Sequence, residues 1–166
     1  ENKDKISLSL NGIKLNNNDF ELGEENKSIL IFKKPFENNG QIELFNPFWI
    51  TETITTNKAT KEFNEPNHAG NDGGKSVWFK FKAPYDGYLT IDILKSEFDT
   101  LLAMYQGNSV SALNQINSND DAFLNDELEF DPGISQLKQA LKKDMVVYIA
   151  ADGYGSESGN IALRSR

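Results

Sequence analysis

Short runs of alternating apolar residues, separated by turns, constrain this fold more than any other feature. The segments "SVWFKFKAP" and "GYLTIDIL" each repeat with a period of two. Alternate positions share one face of a strand: Val77, Phe79 and Phe81 in the first segment, and Leu89, Ile91 and Ile93 in the second. Turn residues recur between such runs at roughly the 8–12-residue spacing of all-β sandwiches and barrels. We therefore expect an all-β domain.

Other segments agree with this expectation. "TLLAMY" and "MVVYIAA" are nearly continuous apolar runs, as is typical of central strands covered on both faces. "ISLSL" (6–10) precedes Asn11-Gly12 and then "IKL", which predicts a hairpin. "SQLKQALKKDM" is ambiguous, because Leu137, Ala140 and Leu141 form a helical stripe while Leu137 and Leu141 also share one face of a strand. Local propensity narrowly favours the helix.

Length and charge limit the classes of partner. The 166 residues suffice for one domain with its own core, or for one domain plus an arm. A composition shift suggests an N-terminal arm or extra strands over 1–47 and a main domain over 48–166. The net charge of -8 disfavours nucleic acid and anionic membranes and favours divalent cations. No apolar run approaches the roughly 20 residues of a spanning helix, so we expect no membrane insertion.

The residue inventory argues against catalysis. The chain has no cysteine, which removes thiolate zinc sites and cysteine nucleophiles. A serine-histidine system would have to use the single histidine, His68, and the sequence contains no G-x-S-x-G motif. We interpret His68 as a solvated or hydrogen-bonding residue and expect no enzyme. Acidic residues are plentiful, but no two are marked as a facing pair for glycoside hydrolysis. Because the sequence begins at Glu1, we interpret it as a processed chain or an excised fragment.

Two oxygen-rich segments are candidate calcium sites. Ca²⁺ takes six to eight oxygen ligands from carboxylates and carbonyls. "EFNEPN" with the nearby Asp72, and "NSNDD" at 117–121, offer such groups, although neither is an EF-hand. Both segments are equally compatible with solvated turns. The residue types alone leave this choice open.

Aromatic residues allow a second kind of site. A platform for stacking sugars could be built from Trp49, Trp78, Tyr85, Tyr88, Tyr105 and Tyr154. Such residues more often fill a sandwich core or cover its open face, and we favour packing.

Four collinear blocks resemble the bacterial pre-peptidase C-terminal domains, which are β-sandwich modules of secreted proteins. The blocks lie between Ala59 and Leu163: "ATKEFNEPNHAGNDGGKSVWFKFKAP", "GYLTIDILKSEFDTLLAMYQGNSVSAL", "NDD" and "VVYIAADGYGSESGNIAL". Residues 1–47 do not match. The resemblance implies a jelly-roll-like antiparallel β-sandwich with an N-terminal β arm or extra hairpin. It also implies that "SQLKQALKKDM" is a strand, against its local propensity.

The same resemblance implies calcium ligands. The collagen-binding domains of clostridial collagenases are related and bind calcium through an acidic segment before the first core strand. Carried over to this sequence, that role falls on Glu62, Glu65, Asn67 and Asp72. The turn Asn119, Asp120 and Asp121 also matches and, with Asp99, forms a second oxygen-rich set. We therefore expect structural Ca²⁺ as the cofactor.

These inferences lead to two functional hypotheses. The first is a secreted or cell-surface, non-catalytic adhesion module, stabilised by calcium and attached to an extracellular polysaccharide or protein. The alternative is a structural subunit of an extracellular fibre or surface layer, in which the N-terminal arm adds a strand to a neighbouring subunit.

Overall fold

The structure is a computed structural model. The structure describes residues 53–123 and 133–165, apart from the side chains of Leu94, Lys95 and Phe123. Elsewhere it describes only the backbone of short strands: β1 (Ser9–Leu10), β2 (Ile13–Lys14), β3 (Phe20–Leu22), β4 (Leu30–Phe32), β5 (Ile42–Leu44), β6 (Trp49–Ile50) and β13 (Phe130–Asp131). The remaining strands are β7 (Ile54–Thr55), β8 (Val77–Lys82), β9 (Gly87–Ser96), β10 (Thr100–Gln106), β11 (Asn114–Asn119), β12 (Ala122–Phe123), β14 (Gln136–Leu141), β15 (Val146–Gly153) and β16 (Asn160–Ser165).

Two seven-stranded sheets form a β-sandwich, which confirms the predicted fold class. The first sheet has the order β1-β2-β5-β8-β15-β10-β11. The second has the order β14-β9-β16-β7-β4-β3, and β6 also pairs with β16. Neighbouring strands are antiparallel except for the pairs β4-β7 and β5-β8. Two short 3-10 turns, Val110–Ala112 and Tyr154–Ser156, are the helical elements of the described part of the chain.

The main core lies between the two sheets. The alternating residues of β8 and β9 that were predicted to share a face are all buried there, together with apolar residues of β10, β14, β15 and β16. Because the side-chain period of a strand is two, this burial on one face determines the pairing register. The core is thus built from the periodicity that is visible in the sequence.

A second, smaller cluster lies on the outer face of the first sheet. It contains Trp78, Ala103, Tyr105 and Ala150, all at most 1% exposed. Residues 61–74, the loop before β8, provide His68, whose ring packs edge-on against Trp78 and Tyr105. This cluster explains why β10 is buried along almost its whole length, and the prediction that "TLLAMY" is a central strand is confirmed.

The ambiguous segment is strand β14. Leu137 and Leu141 are buried, and the strand pairs with β9 from Gln136↔Asp92 to Leu141↔Gly87. Tertiary pairing therefore overrides the local helical preference, as the resemblance implied.

The N-terminal region contributes strands to both sheets. β1 and β2 pair antiparallel on either side of Asn11-Gly12, as predicted. β5 lies beside β8 and β4 beside β7. The domain division at residue 48 and strand addition by the N-terminal arm stay predictions, because most of residues 1–47 lie outside the described residues.

Candidate functional site

His68 belongs to a buried hydrogen-bond network. Its side chain is fully buried, with Nε2 2.9 Å from Glu65 Oε1 and Nδ1 2.7 Å from the Tyr105 hydroxyl. Of the two expectations for His68, hydrogen bonding is confirmed, whereas a solvated side chain is wrong, because the residue is buried. Sequence reasoning did not find its burial, because a histidine in a polar, Gly-rich loop carries no signal that the loop folds back onto a sheet.

Glu65 is the centre of this network. Its carboxylate accepts hydrogen bonds from His68, from the Ser76 hydroxyl, from Trp78 Nε1 and from the backbone N–H of Glu62. Burial alone would raise the pKa of Glu65, but the bonds from His68, the Glu62 backbone and Ser76 outweigh it and leave the pKa below its ordinary value. The structure thus gives Glu65 a packing and hydrogen-bonding role.

Of the other predicted ligands of this loop, Asn67 and Asp72 are exposed and Glu62 is partly buried. Asn67 Nδ2 donates to Asp72 Oδ1 at 2.6 Å, and Lys61 Nζ lies 3.2 Å from Asn67 Oδ1. Lys61 Nζ also donates to the Asp72 carbonyl oxygen. An ammonium group therefore already supplies positive charge beside these oxygens. Glu62 contributes its backbone N–H to the Glu65 carboxylate.

Asp99, Asp120 and Asp121 converge at one end of the sandwich. Asp99 directly precedes β10, and the other two form the turn between β11 and β12. One carboxylate oxygen from each residue lies within 4.8 Å of the others, the one group of this kind among the described residues. Oxygen-only ligands of this type suit a hard cation such as Ca²⁺.

Hydrogen bonds from neighbouring residues hold this acidic cluster (Asp99, Asp120 and Asp121) in place. The buried Ser135 Oγ lies 2.6 Å from the Thr100 carbonyl oxygen and 2.7 Å from the Asp120 carbonyl oxygen. Asn119 Oδ1 accepts from the backbone N–H of Gln136 at 2.8 Å, and its Nδ2 donates to the Asp121 carbonyl oxygen. The side chain of Asn119, which was predicted as a ligand, therefore braces the turn.

The electrostatics of the acidic cluster are unfavourable without a cation. Asp99 Oδ1 and Asp120 Oδ1 are buried and have no hydrogen-bond partner among the described residues. Burial, and then repulsion from Asp120, Asp121 and Glu157, raises the pKa of Asp99. Burial and Asp121 likewise raise the pKa of Asp120. A bound divalent cation would supply the missing partner for these oxygens.

Sequence reasoning missed two residues near the acidic cluster. Glu157 Oε2 accepts from the backbone N–H of Asp99 at 3.1 Å, and Ser135 ties the turn to β10. Both are far from Asp99 along the chain. A single sequence contains no signal that would have brought them together.

The candidate aromatic platform divides into two groups. Trp78 and Tyr105 are buried, as the packing interpretation expects, whereas Tyr85, Tyr88 and Tyr154 are 54%, 70% and 48% exposed. Tyr85 lies in the connection from β8 to β9, which passes from the first sheet to the second, and Tyr88 lies at the start of β9. Both residues line one shallow apolar recess. The Lys138 ammonium lies 5.1 Å from the centroid of the Tyr88 ring. The side chain of Trp49 lies outside the described residues.

No helix in the part of the chain that the structure describes is long and apolar enough to cross a membrane.

Comparisons with known proteins give one kind of match. Neither the family models nor the curated proteins contain a match to this chain. Among solved structures, the chain is similar to the pre-peptidase C-terminal domain of collagenase from Bacillus anthracis, with a TM-score of 0.43 and 12% identity. The similarity covers 76% of this chain and 92% of that domain. This domain is of the kind that the four sequence blocks resemble.

Proposed function

We propose that this chain is a secreted, non-catalytic β-sandwich module that binds Ca²⁺ at the acidic cluster and attaches to an extracellular polymer. The convergence of Asp99, Asp120 and Asp121, with two buried and unpartnered carboxylate oxygens, is the observation that supports calcium. Buried polar atoms without a partner are rare in folded proteins and call for an explanation such as an ion.

The donor set favours calcium over other metals. All three side chains are carboxylates, and the chain has no cysteine. Its one histidine is fully buried and already bonded to Glu65 and Tyr105. Softer metals prefer thiolate or imidazole ligands, whereas Ca²⁺ accepts oxygen in a flexible geometry. Backbone carbonyls and water would complete its six to eight ligands.

Calcium would act structurally. The start of β10 and the β11–β12 turn meet at this cluster and are otherwise joined through the Ser135 hydroxyl. A cation between the carboxylates replaces mutual repulsion by attraction and holds the two segments together. The proposal does not include Glu65, Asn67 and Asp72, because each side chain already accepts a hydrogen bond from a protein donor.

Thermal melting in Ca²⁺ and in EGTA tests the calcium proposal. At free Ca²⁺ about 100 times its Kd, a site adds about 2.7 kcal/mol, which is roughly 5–10 °C for a domain of this size. Asp120→Asn should remove that gain. Asp72→Asn also removes one negative charge, but from the other predicted ligand set, and should keep the gain in melting temperature. An unchanged wild-type melting temperature, or loss of the gain in Asp72→Asn alone, would refute calcium binding at the acidic cluster.

Attachment is supported by the exposed pair Tyr85 and Tyr88. Tyrosine rings in the open can contact either sugars or apolar side chains of a polymer. Sedimentation with insoluble polysaccharides and with collagen fibrils tests this directly. The double variant Tyr85→Ala/Tyr88→Ala should lose binding, while Tyr154→Ala, beyond the opposite end of β15, should retain it. Equal losses in both variants, or no binding by the wild type, would contradict the assigned surface.

A further inference from the structure

Residues 61–74 form a closed loop, here called the latch, over the outer face of the first sheet. Its two ends meet through a hydrogen bond of 3.1 Å from the Lys61 backbone N–H to the Gly74 carbonyl oxygen. Within the latch, His68 and Asn71 exchange two backbone hydrogen bonds. Compact loops whose ends lie close together are frequently functional units of their own.

The latch is attached almost without apolar burial. Its buried side chains are Glu65 and His68, and its one large apolar side chain, Phe63, is 88% exposed. Most segments that fold together with a core are fixed by apolar area removed from water. The latch instead depends on hydrogen bonds of two polar side chains to Tyr105, Ser76 and Trp78.

Asp152 provides a second attachment point. Its carboxylate accepts hydrogen bonds from the backbone N–H groups of Gly74 at 2.9 Å and Lys75 at 2.8 Å. A Cβ atom at Gly73 would lie 1.9 Å from Asp152 Oδ2, and Gly73 has a φ of +56°. The latch therefore closes over Asp152 only because glycine occupies position 73.

The main core contains no residue of the latch. Its described members come from β7, Ala59 and residues from β8 onward, and they lie between the two sheets. The latch covers the opposite face of the first sheet, where it shields Trp78 and Tyr105. Detaching the latch would break the Glu65 and His68 network without separating the two sheets.

We propose that the latch opens as an independent unit while the β-sandwich stays folded. Segments with few buried apolar contacts open locally at a lower free energy than the core. The open form uncovers Trp78 and Tyr105, whose ring centroids lie 5.4 Å apart on the same face of the sheet. This device is separate from the acidic cluster and operates whether or not that cluster binds calcium.

Hydrogen exchange of the full chain, read by mass spectrometry, tests the latch. The amides of Glu62, His68 and Gly74 are hydrogen-bonded, so their exchange requires opening. We expect them to exchange at least roughly tenfold faster than the amides of β8 and β15. Glu65→Gln weakens charge-assisted bonds and should accelerate latch exchange roughly ten- to hundredfold, with β8 and β15 unchanged.

Phe63→Ala is the control within the same loop, because its side chain is 88% exposed. It should leave latch exchange within about twofold of wild type. If Glu65→Gln accelerates exchange equally in the latch, β8 and β15, or does not accelerate the latch, the proposal is overturned. Should Glu65→Gln not fold, Ser76→Ala removes one hydrogen bond to the same carboxylate, and the same comparison decides.

A fluorescence measurement gives an independent readout. In a Trp49→Phe background Trp78 is the remaining tryptophan. Gly73→Ala should hold the latch open and raise acrylamide quenching of Trp78 severalfold, while the far-ultraviolet circular dichroism of the strands is retained. Unchanged quenching in a folded Gly73→Ala protein would show that the latch stays closed and would refute independent opening.

Discussion

Replacing Asp120 by asparagine should have opposite effects with and without calcium. In the structure, Asp120 Oδ1 is buried without a partner, and an oxygen of Asp120 lies within 4.8 Å of oxygens of Asp99 and Asp121. The three carboxylates therefore repel one another when all are ionised. Asparagine has a similar shape and no charge, so Asp120→Asn removes this repulsion and replaces an anionic calcium ligand by a weaker neutral one.

The size of the effect follows from the spacing. Two unit charges about 5 Å apart repel by roughly 3 kcal/mol at an effective dielectric constant of 20. Screening by solvent at this partly exposed site reduces the net effect to about 1 kcal/mol. Without calcium, Asp120→Asn should therefore melt about 2–4 °C above wild type. With saturating calcium the order should reverse, because only the wild type gains the binding energy.

Calorimetry of both proteins in EGTA and in calcium measures these four melting temperatures.

The pH dependence of stability gives a second measure of the same repulsion. Because the folded-state pKa values of Asp99 and Asp120 are raised, the folded protein binds protons more tightly than the unfolded chain. Calcium-free stability should therefore fall as pH rises from the ordinary carboxyl range through the raised values, less steeply in Asp120→Asn. An Asp120→Asn protein that melts below wild type in EGTA and still gains stability from calcium would refute the reasoning.

Three further perturbations test the packing and the latch. Because the pKa of Glu65 is lowered in the folded protein, its ionised form stabilises the fold at pH values above the unfolded pKa of 4.5, and this stability should be lost as the pH falls through the folded-state pKa. Urea unfolding at a series of pH values should show that Glu65→Gln loses less stability in acid than the wild type. Phe79→Ala, at a fully buried core position, should lower the free energy of chemical unfolding by about 3–5 kcal/mol. Phe63→Ala, at an exposed position, should change it by less than about 0.5 kcal/mol. Equal losses in the two variants would contradict the assigned core. Gly73→Ala should lower the free energy of unfolding by about 1–3 kcal/mol through its clash with Asp152. Gly70→Ala should lower it less, because a Cβ there meets nothing within 4 Å. A lower melting temperature for Gly70→Ala than for Gly73→Ala would refute the close approach of Gly73 to Asp152.

The fold class could be predicted from periodicity. Alternation in β8 and β9 is a local property that survives in any structure that buries one face of each strand. The continuous apolar run of β10 likewise indicated a strand covered on both faces. The latch, which covers its outer face, could not be inferred, because its attachment depends on polar groups far apart in sequence.

Strand β14 shows that local sequence patterns alone did not decide its secondary structure. Its helical and strand patterns are nearly equal in propensity, and pairing with β9 decided the outcome. Propensity differences are tenths of a kcal/mol per residue, whereas a complete strand pairing with buried Leu137 and Leu141 is worth far more.

The candidate ligands show the same division between sequence and tertiary structure. By itself, the sequence determined that oxygen-rich turns exist, that thiolate and paired-histidine sites do not, and that the surface is acidic. Only the tertiary structure buried Glu65 beside His68 and brought Asp99 to the turn at Asp120 and Asp121. The reason is physical: residue type determines which groups are available, but burial and distance between remote segments determine which carboxylates acquire protein donors and which repel one another.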